Sequence, residues 1–241
     1  ESLSELAESS EVIFLCVGND DDVKNIINGD DGIINYLKPG TILIDHTTTS
    51  AELPIELNKS LHLKEVSFLD APVSGGQAGA ESGILSVMVG GNKESYEDVK
   101  EIIGTYSKFI KYMGESGSGQ LTKMVNQICI AGLIQALAEG INFSDEVGLN
   151  TKDVIEVISK GAAQSWQMEN RWKTMINDEY DHGFAVDLMR KDLDIVLKKA
   201  EKNNIPIDIT KIVNDYYKDI QKAGGGRLDT SSLLKRIKDL I

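Results

Sequence analysis

The sequence predicts an α/β domain built on a doubly wound sheet, followed by an all-helical domain. Two observations carry this. In the first half, short and nearly continuous apolar runs alternate with helical or glycine-rich stretches, the rhythm of strands buried on both faces and joined by crossovers. Beyond Gly119 no strong strand-like run remains, and apolar residues recur at three- and four-residue spacing instead. The expected domains are therefore 1–113 and 114–241.

Five strands are expected, over residues 12–17, 41–44, 66–69, 85–89 and 109–112, with helical stretches such as 20–27 and 95–106 among them. Pro39-Gly40 punctuates the approach to the second run, and Gly90-Gly91 closes the fourth. A long helix is predicted over 120–147, where Leu121, Val125, Ile128, Leu133, Leu137 and Ile141 repeat at helical spacing and Gly148 supplies a left-handed cap. It is longer than most globular helices, and bridging the two domains explains the length. Further helices are expected over 152–159, 190–203, 209–223 and 231–239, separated by Gly161, Pro206 and Gly224-Gly225-Gly226.

Composition narrows the function. A chain of 241 residues, 41% apolar, suffices for one large or two medium cores. Lys plus Arg total 25 against 38 acidic residues, a net charge of −13, and no basic cluster tracks a phosphate backbone, so nucleic acid is not an expected partner. Cys16 and Cys129 sit in apolar runs, without the spacing of a metal site or disulfide framework, and read as buried thiols. The apolar runs read as too short for a bilayer, and the start ESLSELAESSE has neither charged leader nor apolar signal core, so no membrane is expected and the compartment reads as reducing and cytoplasmic. The apolar helical half suggests a homodimer or homotetramer.

The most informative residue is Lys123, the one charge from Ser116 through Ala138. An ammonium held away from water favours its neutral form, which is how lysine becomes an acid or base near neutral pH. Asn126, three residues on, shares its helical face. A lysine that snorkels to water, beside an asparagine in local contact, satisfies the same spacing. Asp70-Ala-Pro-Val-Ser-Gly-Gly76 leaves an apolar run and turns into two glycines beside a hydroxyl, able to cradle a carboxylate through Ser74 or to be a plain turn. Gly114-Glu-Ser-Gly-Ser-Gly119 precedes the long helix, where its amides can attract an anion or form a tight interdomain turn.

In order, these segments resemble the β-hydroxyacid dehydrogenase family, which includes 3-hydroxyisobutyrate dehydrogenase and tartronate semialdehyde reductase. Residues 70–76 resemble its substrate-binding signature, and 114–127, GESGSGQLTKMVNQ, its catalytic signature. Asp45-His-Thr-Thr48 is similar to its strand-end cofactor motif, and Lys191-Asp192-Leu193 to the KDL segment of its C-terminal domain. The resemblance implies an N-terminally incomplete Rossmann-type α/β domain, a helical domain like that of 6-phosphogluconate dehydrogenase, and an active site in the cleft joining them. It implies NAD or NADP as cofactor, and a small 3-hydroxy acid or semialdehyde as substrate. Lys123 would relay the hydroxyl proton; Asn126 would orient that oxygen; Ser74, Gly75 and Gly76 would take the carboxylate. Val17, Gly18 and Thr48 would face the cofactor, with Lys191 and Phe184 on its other side. Trp166 falls where some relatives line the pocket, and an ordinary packing role explains it equally well.

Two departures stand against the family pattern. Its opening strand and G-x-G-x-x-G turn, with the ribose-reading residue after the second strand, are not in the sequence, which suggests a fragment or processed chain. Gly18 stands where many relatives have proline. A cofactor-free module that grips a small carboxylate is the alternative reading. A reader of methylated lysine has no aromatic cage to support it. NAD against NADP, and 3-hydroxyisobutyrate against tartronate semialdehyde, an ω-semialdehyde or L-serine, stay open on the sequence.

Overall fold

The computed structural model describes residues 2–239, so the outermost positions of the two expected domains, 1 and 240–241, lie outside it. The chain divides into two compact units, Glu1–Val125 and Asn126–Ile241. The expected boundary near 113 coincides with the end of the last strand, whereas the units part eleven residues beyond Gly114, within the long helix.

The first unit runs α1 (Leu3–Ser9), β1 (Val12–Leu15), α2 (Asp20–Asn28), β2 (Ile42–Asp45), α3 (Glu52–His62), β3 (Ser67–Asp70), β4 (Val73–Ser74), α4 (Gly76–Glu81), β5 (Leu85–Gly90), α5 (Lys93–Gly104), β6 (Ser107–Gly114), and then the start of α6 (Ser118–Glu146). All five expected strands are present, and the short β4 is added. The sheet is mixed. β1, β2 and β3 are parallel, β5 pairs antiparallel to β3 and β4, and β6 is parallel to β5. The reversal follows from chain length: residues 75–84 between β4 and β5 hold only the short α4, too little for a parallel crossover of a dozen residues or more.

Burial on both faces holds for the central strands β2 and β3 and fails at the margins. In β1, Ile13 and Leu15 enter the core while Phe14 is 41% exposed, and in β6 Ile110 and Tyr112 are partly buried between exposed residues. Cys16 continues the exposed side of β1, and Cys129 lies on an outward face of α6 with Val125 and Leu133, so both thiols are exposed, against the sequence expectation. Two apolar layers sandwich the sheet: one centred on Leu43, Leu57 and Phe68, the other on Ile44, Val87 and Ile103.

Helices missed in the sequence have physical excuses. α3 carries Pro54 near its start, which reads as a breaker although the first turn tolerates proline, because no intrahelical N–H is lost there. α8 (Trp166–Ile176) buries little of its mixed sequence and is started by Ser165, whose side chain accepts from Met168 N–H. The second unit completes α6 and adds α7 (Thr151–Ile158), α8 (Trp166–Ile176), α9 (Val186–Lys202), α10 (Asp208–Lys222) and α11 (Leu233–Asp239), around a core of Ile134, Ile141, Met189, Leu193 and Tyr217. By length and hydropathy α6 is sufficient to cross a bilayer, contrary to the expectation that every apolar run is too short, and 44% of its most apolar window is buried within the protein.

Candidate active site

In the α/β unit the site is assembled at the C-terminal ends of β2, β3 and β4 and the first turns of α6. Lys123 is 7% exposed, and its Nζ donates to the Val73 carbonyl at 2.8 Å. The buried reading of this lysine therefore holds over the snorkelling one, and the amine lies one residue from Ser74. Gly75 at φ 144° and Gly76 at φ 62° turn the chain into α4 in backbone conformations that L side chains rarely adopt. At Gly75 a Cβ would also approach Leu85 Cδ2 to 2.9 Å, a contact the leucine side chain would have to relieve; at Gly76 the space is open.

The glycine-rich turn before α6 does not offer its amides to an external anion. Asp70, fully buried at the end of β3, accepts from Gly117 N–H at 2.8 Å and from Gln120 N–H at 3.0 Å, so the helix start carries an internal carboxylate. Burial raises the Asp70 carboxyl to about 6 despite these donors, and burial likewise raises Asp45 to about 6, with the Asp70 charge adding to the effect.

Gln120, one turn before Lys123, is fully buried and clamps the loop after β2: its Nε2 donates to Thr47 O at 2.7 Å and its Oε1 accepts from Thr49 N–H at 3.1 Å. Thr47 in turn accepts from Val17 N–H at 3.0 Å. Thr48 is half-buried between two fully enclosed threonines in the loop that follows β2. Val17, Gly18 and Thr48 thus share one corner, and a Cβ on Gly18 would meet Asp22 Oδ2 at 2.6 Å. That corner fits the sugar or ring of a dinucleotide better than its phosphates, because Asp20, Asp21 and Asp22 form the first turn of α2 and repel anions. Beside it, His46 Nδ1 lies 2.6 Å from Ala71 O and Nε2 2.9 Å from Tyr106 OH, while burial lowers the His46 pKa; the neutral ring donates to the carbonyl and accepts from the phenol.

The helical unit holds the remaining expected residues in two clusters. Asn126 donates to Gln127 Oε1 at 2.8 Å, Gln127 donates to Asp192 Oδ2 at 2.6 Å, and Lys191 lies 3.1 Å from Asp192 Oδ1. Asn126 and Lys191 are therefore linked through two buried residues. In the second cluster Arg171 lies over the Trp166 ring at 5.4 Å and pairs at 3.3 Å with buried Asp229, which also accepts from Phe184 N–H at 2.8 Å. Trp166 itself is 48% exposed, which is no core-packing tryptophan.

Gln120, Gln127, Asp192 and Asp229 escaped the sequence reading as individuals. The first three lie inside quoted motifs, each next to or one turn from a singled-out residue. Asp229 stood out less, since its partners Arg171 and Phe184 are far away in sequence and only Ser231 is near it.

A mixed α/β sheet followed, through a lysine-bearing helix, by a helical unit is an architecture that dinucleotide-dependent oxidoreductases use. Comparisons agree. Residues 1–114 match the model of the NAD binding domain of 6-phosphogluconate dehydrogenase, and residues 117–237 that of the NAD-binding domain of NADP-dependent 3-hydroxyisobutyrate dehydrogenase. An uncharacterized oxidoreductase of Shewanella frigidimarina is 51% identical over 96% of this chain and 80% of its own length. The 2-hydroxy-3-oxopropionate reductase of Escherichia coli is 31% identical over 99% of the chain and 82% of its own. The crystal structure of 3-hydroxyisobutyrate dehydrogenase from Salmonella typhimurium superposes with a TM-score of 0.87 at 27% identity, covering 97% of this chain and 82% of that one. The chain belongs to the β-hydroxyacid dehydrogenase family, whose cofactor is NAD or NADP.

Proposed function

We propose that this chain oxidises a small 3-hydroxy acid, or reduces the matching semialdehyde, with Lys123 as the general acid and base. One observation carries the reading: a buried amine bonded at 2.8 Å to Val73, at the mouth of the Ser74-Gly75-Gly76 turn. Ser74 Oγ and the amides of Gly75 and Gly76 take the substrate carboxylate, as in the resemblance, which sets the hydroxyl of a short acid near Nζ. In oxidation the neutral amine accepts the hydroxyl proton as the carbon gives up its hydride; in reduction the ammonium returns that proton to the carbonyl oxygen. NAD or NADP, when bound, takes or supplies the hydride.

Burial of Lys123 limits competing water, and the main-chain bond holds the amine at the turn. Thr48, Val17 and Gly18 are assigned to the cofactor. In the helical unit Asn126, Trp166, Phe184 and Lys191 keep the substrate and cofactor parts that the resemblance implies. The names of the relatives above, a 2-hydroxy-3-oxopropionate reductase and a 3-hydroxyisobutyrate dehydrogenase, support a short acid.

The test is kinetic. Turnover is measured by nicotinamide absorbance with 3-hydroxyisobutyrate, tartronate semialdehyde and L-serine. Lys123→Ala is expected to lose on the order of 10²-fold or more in kcat, with the circular dichroism spectrum and the dinucleotide Kd unchanged. An undiminished rate refutes the assignment.

A further inference from the structure

We propose that Gln120 is a positioning residue, whose side-chain amide holds the loop 47–49, and with it the cofactor corner, on the first turns of α6. Residues 46–51 join β2 to α3 without helix or strand, so the loop has no ladder of its own to fix it. Thr47 and Thr49 are nevertheless almost fully enclosed, at 2% and 1% exposure. One amide meets the main chain of both. Gln120 Nε2 donates to Thr47 O and Oε1 accepts from Thr49 N–H, so the side chain brackets Thr48 as a peptide group of a neighbouring strand would. The loop offers one acceptor and one donor, and its buried partner must supply the complement of each, which an amide or a protonated carboxyl provides on two atoms of one carbon.

The clamp is itself anchored. Gln120 N–H donates to Asp70 at the end of β3, while Thr47 donates its N–H to Asp45 at the end of β2 and accepts from Val17 N–H beyond the end of β1. Three strand ends thus meet at the start of α6. Lys123 follows Gln120 by three residues, on the same face of the helix, and bonds to Val73 O. Two side chains one turn apart therefore hold the Thr48 loop and the segment that leads into the Ser74 turn, and the helix fixes the spacing between the two anchors. The inference rests on the proposed assignment of Val17, Gly18 and Thr48 to the cofactor. It adds that the corner is set before the dinucleotide arrives, by a residue with no exposed surface, so that binding does not have to order the loop.

The probe is NADH or NADPH, whichever the full chain binds more tightly, titrated by fluorescence into the parent and into Gln120→Met, Gln120→Glu and Thr48→Val. Gln120→Met, similar in length but without donor or acceptor partners for the loop, is expected to weaken binding about tenfold at every pH. Gln120→Glu carries its own rescue. Burial and the nearby Asp70 and Asp45 carboxyls raise the pKa of a glutamate there, so at about pH 5 it is protonated, makes both loop bonds, and binds within about twofold of the parent. At about pH 9 it is ionised, the bond to Thr47 O is lost, and binding weakens about tenfold. Asp70, Asp45 and Asp20, which accepts from Ser50 N–H, flank the clamp in the parent as well, so each variant is compared with the parent at the same pH. A purely structural role would lower Tm and leave Kd alone. One measurement needs no variant: in the chain without dinucleotide Thr49 N–H is expected to be protected from hydrogen exchange, and exchange at the rate of an open loop overturns the proposal. Gln120→Met binding like the parent while Thr48→Val binds weakly overturns the inference and leaves the cofactor reading standing, as does Gln120→Glu equally weak at both pH values. A Kd unmoved in all three variants, or a parent that binds neither dinucleotide, takes down the cofactor reading of the corner and the inference with it. The role of Lys123 is read from turnover and does not enter these comparisons.

Discussion

In the α/β unit the buried polar side chains around the site end on backbone atoms: Lys123 on Val73 O, Asp70 on Gly117 and Gln120 N–H, Gln120 on Thr47 O and Thr49 N–H. In the helical unit they end mostly on one another, as in Asn126 to Gln127 to Asp192 and Arg190 to Asn214 and Gln221. The difference follows from the architecture. Strand ends and turns leave N–H and C=O groups unpaired and available, whereas helix interiors have consumed theirs. A group anchored on the main chain keeps its place whatever the neighbouring side chains are, so the proposed proton-transfer residue sits where geometry depends least on other side chains. Asp229 departs from this pattern in the helical unit, accepting backbone amides at an irregular segment, those of Phe184 and Ser231, and buried Tyr217 likewise donates to Thr230 O.

The largest expected effect breaks the anchored side. Asp70→Ala leaves the Gly117 and Gln120 amides buried without acceptors and is expected to cost about 3 kcal/mol or more in urea unfolding, while Asp70→Asn, which keeps one acceptor, costs about half of that. The same carboxyl gives a pH signature. Its value and that of Asp45 are raised from an ordinary 3.8 to about 6 in the folded chain, so the folded state holds more protons than the unfolded one over this interval. Their stabilisation is complete below about pH 3.8 and is lost as pH rises through about 6. Relative to Asp70→Asn, the parent chain should therefore lose melting temperature between pH 4 and 6; an equal pH slope in both would show that Asp70 titrates normally.

An intermediate effect sharpens the helical side. Gln127→Leu and Asp192→Asn remove two members of one side-chain chain, so their double-mutant cycle should show coupling of about 1 to 3 kcal/mol. Asp70→Asn with Lys123→Met should add to within about 0.5 kcal/mol, because each side chain bonds to its own backbone partner. Strong coupling in the second cycle would mean that the main chain does not insulate these groups.

The same contrast explains what the sequence could tell. The five main strands and the long helix were legible because apolar period encodes them, and Lys123 was legible because a single charge stands out in 116–138. The reversal at β5 was not, since strand direction depends on the length of a connection whose short helix α4 had no recognisable pattern. Asp70 was visible as part of a motif, but its capping of α6 depends on the tertiary approach of β3 to a helix 47 residues later. The exposure of Cys16 was hidden for a related reason: an apolar run does not say which strand lies at the sheet margin.

The smallest expected effect probes a side-chain pair in the α/β unit, His46 and Tyr106. Burial lowers the imidazole pKa, and Nδ1 is engaged with Ala71 O, so the neutral ring uses Nε2 as an acceptor for the phenol. Tyr106→Phe removes that donor and should cost about 1 kcal/mol, less than any of the anchored sites, since the edge of this cluster at Phe14 reaches solvent and water can replace the hydroxyl. Water at Nε2 also solvates the imidazolium better than a phenol does, so the His46 pKa should move up toward its ordinary value, read from the imidazole proton shifts by NMR titration. A pKa that stays low in the variant would assign the shift wholly to the stacked Phe14 ring and the apolar wall behind it, and would place His46 with the main-chain-anchored groups after all.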